Sequence, residues 1–494
     1  MASSSPLIDE LPRGTDCLGL CRQLFEALDR EGIRHCHFKS NLRLDRGLAG
    51  ETDLDLLVAP ADRARFTSLV RTLGFRGLRN PPGKRVPGLE DYLGLDAESG
   101  GLSHLHVHYR LVVGPQHAKS YALPMEELIL ANLIRRLGVP VPCPEIELLV
   151  LILRAILKLD PRALRRRGSG VDELFPSDIL EEFNELCATS NETRFTNLLS
   201  RAALPLGARD LLDFAHGVCR REVDVDRLRG LRERVLRALR PHRWSSPARD
   251  LAQRLARARG ALGGKKSLAR QGASFALVGP DGSGKSTLVR ALHRWLAWKL
   301  AARSVYLGLP KQSRTYRVLR RAEKVLQRLE KGRKGRLLGG LWARGGEYAR
   351  CGRWLHSARC RRRRHRQIRR LVRRGVIVIA DRYPLAELRR DDFSVDGPRI
   401  RAEFGDRHRL LAALEERCYE AIGRPSCVFV LRASSAELER RKPDLPPEVA
   451  TRKVPLFASI APAPGLSIVD ADRPYEKVLL EIKREIWSRL ESSG

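Results

Sequence analysis

The stretch Gly279-Pro280-Asp281-Gly282-Ser283-Gly284-Lys285-Ser286 decides how this sequence is read. Its glycines, lysine and serine stand at the spacing of a phosphate-binding loop. The apolar run 275–278 precedes it, and residues 287–298 continue it with helical apolar periodicity. A strand, loop and helix in that order turn successive backbone N–H groups inward around phosphate oxygens, and the helix dipole favours the negative charge. Gly282 and Gly284 permit the turn. Lys285 is suited to neutralise β- and γ-phosphates, and Ser286 to ligate Mg²⁺. The expected ligand is a nucleoside triphosphate, ATP, bound through Gly279, Asp281, Gly282, Ser283, Gly284, Lys285, Ser286 and Thr287.

Outward from the loop, strand-like runs at 274–278, 304–309, 376–380, 427–431 and 466–469 alternate with helical stretches. That alternation predicts a doubly wound parallel sheet covered on both faces, an α/β fold. Asp381-Arg382-Tyr383 follows the strand at 376–380. A carboxylate at the C-terminal end of a strand beside the phosphate loop is suited to organise magnesium or to act in catalysis.

The segments GPDGSGKSTL (279–288), GVIVIADRY (375–383) and SIVDADRPYEKVLLEIKREIW (467–487) resemble the thymidylate kinase family of nucleoside monophosphate kinases, over about 273–494. The resemblance implies a P-loop NTPase fold and transfer of the ATP γ-phosphoryl to a small anionic acceptor. It implies that Asp381 and Arg382 sit between the two nucleotides, with Arg382 on the acceptor phosphate and Asp281 near the acceptor's sugar. Residues from Arg440-Arg441-Lys442 to Arg452-Lys453 fall where the family keeps a mobile lid, and Asp470-Ala471 where the donor base packs. The chain departs from the pattern at three places. Gly308-Leu309-Pro310-Lys311 stands where an Arg-Glu-Pro-Gly segment is usual, Leu431-Arg432 replaces Leu-Asp, and the acceptor-binding arginine falls among Arg359 and Arg361. ATP chemistry survives these changes better than specificity for dTMP does, so the acceptor is dTMP or another phosphorylated or sugar metabolite.

Ahead of this region, residues 16–31 read as an amphipathic helix, and 35–39, 53–58 and 102–112 as strands. The segment Asp53-Leu54-Asp55 puts two carboxylates at i and i+2, hence on one face of a strand, where such a pair can hold Mg²⁺. With the turn Phe38-Lys39-Ser40-Asn41, it resembles a branch of the nucleotidyltransferase superfamily over about 16–113. That branch carries a later Asp-x-His-Trp strand, for which this chain has His106-Val107-His108-Tyr109, so the third carboxylate is missing. Three readings stay open: a degenerate fold kept for binding, a transferase with altered metal ligation, and a His/Asp transition-metal site built from His104, His106, His108 and the aspartates. From about 123 to 239 helical spacing predominates. The expected organisation is a nucleotidyltransferase-like α/β domain at 1–118, a helical middle module at 119–250, a linker at 251–272 and the kinase-like domain at 273–494.

The 494 residues carry 92 Lys+Arg against 58 Asp+Glu, a formal net charge of +34. Between Lys311 and Arg374 alone stand 24 basic and three acidic residues, so that stretch holds most of the excess. Such a field favours a polyanion. Arginine bias from a GC-rich genome accounts for much of it, and sparse aromatics disfavour nucleic acid without excluding it. An ATP-regulated binder of anionic polymer therefore stands as a third reading, beside the kinase and a metal-dependent nucleotidyltransferase acting through Asp53 and Asp55. The ten cysteines include no CxxC pair, residues 1–13 lack the apolar core of a secretory signal, and the longest apolar run, 148–157, is broken by Arg154. A cytoplasmic protein with reduced thiols and no transmembrane segment is expected. A homodimer is left open.

Overall fold

The computed structural model describes residues 11–12, 16–81, 84–115, 119–160, 164, 170–258, 265–332, 336–389, 395–444 and 449–490. The chain divides into two compact units, Met1–Lys266 and Ser267–Gly494.

In the first unit, β1 (His35–His37), β2 (Leu54–Val58), β3 (Arg76–Arg79), β4 (Leu89–Leu95) and β5 (Leu102–His108) lie in the order β1-β2-β5-β4-β3. Only the β2–β5 pair is parallel; its neighbours β1–β2, β4–β5 and β3–β4 are antiparallel. Helices α1 (Gly19–Arg30) and α2 (Arg63–Thr72) give Leu24, Leu28, Phe66 and Val70 to a core shared with Leu54, Leu56 and Val58 of β2. Alternation along β2 turns Leu57 the other way, into a second core made largely by α3 (Pro144–Lys158), α4 (Ser177–Thr189), α5 (Glu192–Arg201), α6 (Ala208–Arg220) and α7 (Val225–Ala238). The sheet and the helical stretch thus share that core.

Two local readings differ from the sequence expectation. The strand expected over 102–112 ends at His108, and Leu111–Val113 pairs instead with Tyr121–Leu123. Within the stretch of helical spacing a hairpin intervenes, Leu133–Arg136 against Val139–Pro142. Its two connecting residues, Leu137 and Gly138, both have positive φ (49° and 74°), the requirement of a tight two-residue hairpin. Leucine is rare at such a position, and the prolines of Val139-Pro140-Val141-Pro142 argue against a strand, so the sequence conceals this element.

The second unit is built on β6 (Ser274–Val278), β7 (Ala302–Tyr306), β8 (Ile377–Asp381), β9 (Cys427–Arg432) and β10 (Leu466–Asp470). All pairs are parallel, in the order β7-β8-β6-β9-β10. The first strand in sequence is therefore central, with connections leaving it to both sides. Ligands of open parallel sheets bind at the strand ends beside such a reversal. β7 starts two residues earlier than the run at 304–309 suggests and ends at Tyr306, because the chain leaves the sheet before Gly308 and Pro310. Around the sheet lie α8 (Lys285–Leu296), α9 (Arg314–Gly332), α10 (Arg336–Arg373), α11 (Arg409–Glu420) and α12 (Tyr475–Arg489). The arginine-rich stretch forms α9 and the 38-residue α10, which pack on each other, with Arg350 and Arg353 closing on Glu323 at 2.8 and 2.7 Å. No helix among the described residues is long and apolar enough to cross a membrane.

Candidate functional site

The loop after β6 fills the central strand's C-terminal end. Its parent strand is apolar and fully buried from Phe275 to Leu277, so the backbone that follows is fixed in place. At Gly279 a β-carbon would lie 2.7 Å from the Ser283 hydroxyl and 2.9 Å from the Leu431 carbonyl, closer than side chains tolerate. Gly282 and Gly284 take positive φ of 95° and 86°, which glycine adopts without strain. Gly284 then caps α8, whose first residues are Lys285, Ser286 and Thr287.

Lys285 is 6% exposed, and its ammonium donates to the Pro280 carbonyl at 2.6 Å and the Ser283 hydroxyl at 3.5 Å. Burial, with the Arg382 guanidinium nearby, pushes it down to about 8, and Asp281 and Asp381 counter only in part. A lysine held this way lacks a full counter-charge, which a polyanion would supply. Ser286 donates to Asp381 Oδ2 at 2.8 Å. Asp381 ends β8 in register with Leu277 of β6, so the parallel sheet itself aligns loop and carboxylate. Its other oxygen, Oδ1, is buried and has no hydrogen-bond partner among the described residues. A hydroxyl paired to a carboxylate that keeps one oxygen free is an all-oxygen donor set, which suits Mg²⁺.

Arg382 follows in a left-handed conformation, φ 70°, with its N–H donating to the Leu277 carbonyl at 3.0 Å. Such backbone strain in a non-glycine residue persists only where the surroundings fix it. The turn aims the guanidinium back over the loop, where it meets Asp281 at 2.7 Å and Asp396 at 3.4 Å. Asp281 also receives Lys453 at 2.6 Å. Burial alone would raise the Asp281 carboxyl; Lys453, Arg382 and Lys285 outweigh it and hold it below the ordinary carboxylate range. Asp396 in turn binds Arg361 at 2.9 Å, and Arg361 donates further to the Leu307 carbonyl at 2.7 Å and the Tyr419 hydroxyl at 2.6 Å.

The structure thus gathers Asp281, Lys285, Ser286, Asp381 and Arg382 into one crevice. From the stretch 440–453 Lys453 reaches it, whereas Arg440 and Arg441 fold back on Glu437; residues 445–448 lie outside the described residues. Of the two arginines 359 and 361, Arg361 turns inward, at 2% exposure. Sequence reasoning missed Asp396 and Tyr419. Asp396 sits in an Asp-Gly-Pro turn with positive φ (57°), a signal for a turn and not for a carboxylate bridging two arginines.

In the first unit, Asp53 and Asp55 do face one side of β2, but each has its own partners. Asp53 meets His104 Nδ1 at 2.9 Å, and Asp55 meets Lys39 at 2.6 Å and His106 Nδ1 at 3.1 Å. A third carboxylate that the sequence did not reveal comes from β4. Asp91 lies opposite His106 across the β4–β5 pair, 2% exposed, with Lys266 at 2.6 Å, His104 Nε2 at 3.3 Å and a hydrogen bond from Asn80.

Against known proteins, no family model matches the chain. Two curated relatives match at 31% identity over 127 residues: the uncharacterized ATP-binding protein YghR of Escherichia coli K12 and its counterpart in Escherichia coli O6:H1. The match takes in 24% of this chain and 49% of each relative, so the chain spans about half the length of the curated relatives it matches. Among solved structures, thymidylate kinase from Candida albicans aligns over 45% of this chain and 94% of its own, with 15% identity and a TM-score of 0.29.

Proposed function

We propose that the C-terminal unit is an ATP-dependent phosphotransferase that moves the γ-phosphoryl group to a small anionic acceptor. The observation that carries this reading is the pairing of Ser286 with Asp381 at 2.8 Å, beside a buried Lys285 at the end of the central parallel strand. The curated relatives' description as ATP-binding proteins agrees with it.

In this reading the loop's N–H groups and Lys285 hold the β- and γ-phosphates. Ser286 and Asp381 would hold Mg²⁺, which supplies neutralisation of phosphate charge. Arg382, whose two terminal nitrogens meet Asp281 and Asp396, would turn to the acceptor's own phosphate or carboxylate and draw it toward the γ-phosphorus. An acceptor oxygen forms the new bond to phosphorus as the bond to the bridging oxygen breaks, and ADP departs with that electron pair. Most of the rate gain comes from alignment and charge neutralisation rather than from covalent participation of the protein. The Asp281–Lys453 ion pair, 2.6 Å, borders the same crevice and would help to keep water from competing with the acceptor.

A screen of ATP consumption against dTMP, other nucleoside monophosphates and sugar phosphates tests the reading. At least one anionic acceptor is expected to raise consumption well above the acceptor-free rate; a uniformly flat screen counts against a small anionic acceptor.

Lys285 gives a pH signature. Its pKa in the free protein is about 8, and bound phosphate favours the protonated form, so the bound-state value is higher. Below pH 8 the lysine is charged in both states and nothing titrates. Above it, binding must take up a proton, so ATP affinity falls as pH rises through about 8. Calorimetric titrations at pH 9 in buffers of different ionisation enthalpy should show that uptake in the native protein and not in Lys285→Met.

A further inference from the structure

The first unit holds a second constellation, independent of the kinase reading. β2 and β5 run parallel with Asp55 opposite His106 and Leu57 opposite His108. Among the described residues, Asp55, His106 and His108 form the group whose ligand atoms all lie within 4.8 Å of one another, as a shared ion requires. Asp55 Oδ1 is 3.1 Å from His106 Nδ1 and 3.8 Å from His108 Nε2.

His108 supplies the independent observation. It is 1% exposed, the Phe38 ring meets it edge-on at 4.7 Å, and among the described residues neither ring nitrogen has a hydrogen-bond partner. Buried polar groups are normally satisfied, and an enclosed imidazole whose neighbour Asp55 stands beyond hydrogen-bond distance calls for an explanation. A cation seated between Asp55 and the two imidazoles provides one, since a neutral imidazole offers a nitrogen lone pair. Two nitrogens and one carboxylate oxygen suit a transition metal and not Mg²⁺ or Ca²⁺, which take oxygen. The neighbouring carboxylates are otherwise engaged, Asp53 by His104 and Asp91 by Lys266, so the geometry favours one ion over a magnesium pair.

Lys39 is the counterweight. Its ammonium lies 2.6 Å from Asp55 Oδ1, on the oxygen that the ion would use. A positive charge is therefore already drawn to this point, and metal and ammonium compete for it. We propose that Asp55, His106 and His108 form a mononuclear site for a divalent transition metal of the zinc class, with Lys39 as the competing cation that sets its affinity. Three protein ligands leave a coordination position open, the arrangement of reactive rather than purely structural zinc sites.

The test uses the full-length chain, stripped with chelator and titrated with Co²⁺ and then Zn²⁺. One tightly bound Co²⁺ is expected, with the intense visible bands of a low-coordinate nitrogen/oxygen site and no thiolate charge-transfer band from the ten unpaired cysteines. Zn²⁺ should bleach those bands. Any ion at Ser286 and Asp381 would be octahedral and all-oxygen, hence weakly absorbing, and the intense bands should persist in Lys285→Ala. Asp55→Asn and His106→Ala should abolish them at unchanged circular dichroism, whereas Lys39→Met should bind at least about tenfold tighter by removing the competing charge. Failure of both the native chain and Lys39→Met to bind Co²⁺ overturns the proposal, as does a band unaffected by Asp55→Asn and His106→Ala.

Discussion

Replacing Lys285 with alanine is expected to cut ATP turnover by at least about 10²-fold, the scale of losing one preorganised charge at a transition state, while the fold stands. The ammonium is buried, and among the described residues its hydrogen bonds go to the Pro280 carbonyl and the Ser283 hydroxyl. It contributes little to folding in the free protein. The sign follows from its pKa, lowered from the usual lysine value to about 8 in the folded state. A lysine whose folded pKa lies below its unfolded one penalises the native state at pH below about 8, and that penalty fades as pH rises toward the unfolded value. At pH 7 the alanine variant should therefore melt no lower than the parent. Thermal melts and initial rates on the same preparation check both halves. Unchanged turnover in a well-folded Lys285→Ala protein would sink the phosphotransferase assignment, and loss of fold would contradict the account of this lysine.

The comparison with a nucleotidyltransferase reading sharpens that experiment. If the first unit released pyrophosphate from a triphosphate, that activity would survive Lys285→Ala and disappear in Asp53→Ala. The structure gives reasons to expect no such split. Of the three aspartates that a two-metal centre would draw on, Asp53 already pairs with His104 and Asp91 with the Lys266 ammonium, which leaves Asp55 to hold a single ion rather than a magnesium pair.

What the sequence disclosed and what it hid divide along physical lines. The loop from Gly279 to Ser286 was legible because its chemistry is local: backbone turns, one lysine and one hydroxyl at fixed spacing. The alternation of apolar runs and helical stretches pointed to the parallel sheet for the same reason. Asp91 was invisible because its pairing with His106 depends on the antiparallel register of β4 against β5, which no short-range pattern specifies. Asp396 was hidden likewise, since only the fold brings it between Arg361 and Arg382. The hairpin at Leu133–Pro142 escaped because tertiary packing there overrides the turn and strand preferences of Leu137, Pro140 and Pro142.

The arginine-rich stretch leads to the second large effect. Its charge suggested a uniform field, yet one member differs in kind. Arg361 is 2% exposed and spends all three of its nitrogens, on the Leu307 carbonyl, the Tyr419 hydroxyl and Asp396, while Arg363 on the same helix is exposed. Asp396 links that buried guanidinium to Arg382 in the crevice. Arg361→Met keeps much of the side-chain volume but removes the donor from a phenol and a carbonyl and leaves a largely buried carboxylate with the longer Arg382 contact, 3.4 Å. Breaking a buried pair from one side costs about 3–5 kcal/mol. Arg363→Met should change stability by less than about 0.5 kcal/mol, as surface substitutions usually do. Urea denaturation of the two variants measures the difference directly. Replacing Arg361 and Asp396 together, as Arg361→Met with Asp396→Leu, should recover part of the loss, because no charge is then left unpaired between them. Equal midpoints for the two single variants would mean that Arg361 is only one more charge in the field. A loss confined to Arg361 would separate a structural arginine at the edge of the crevice from the solvated ones that make up most of the excess.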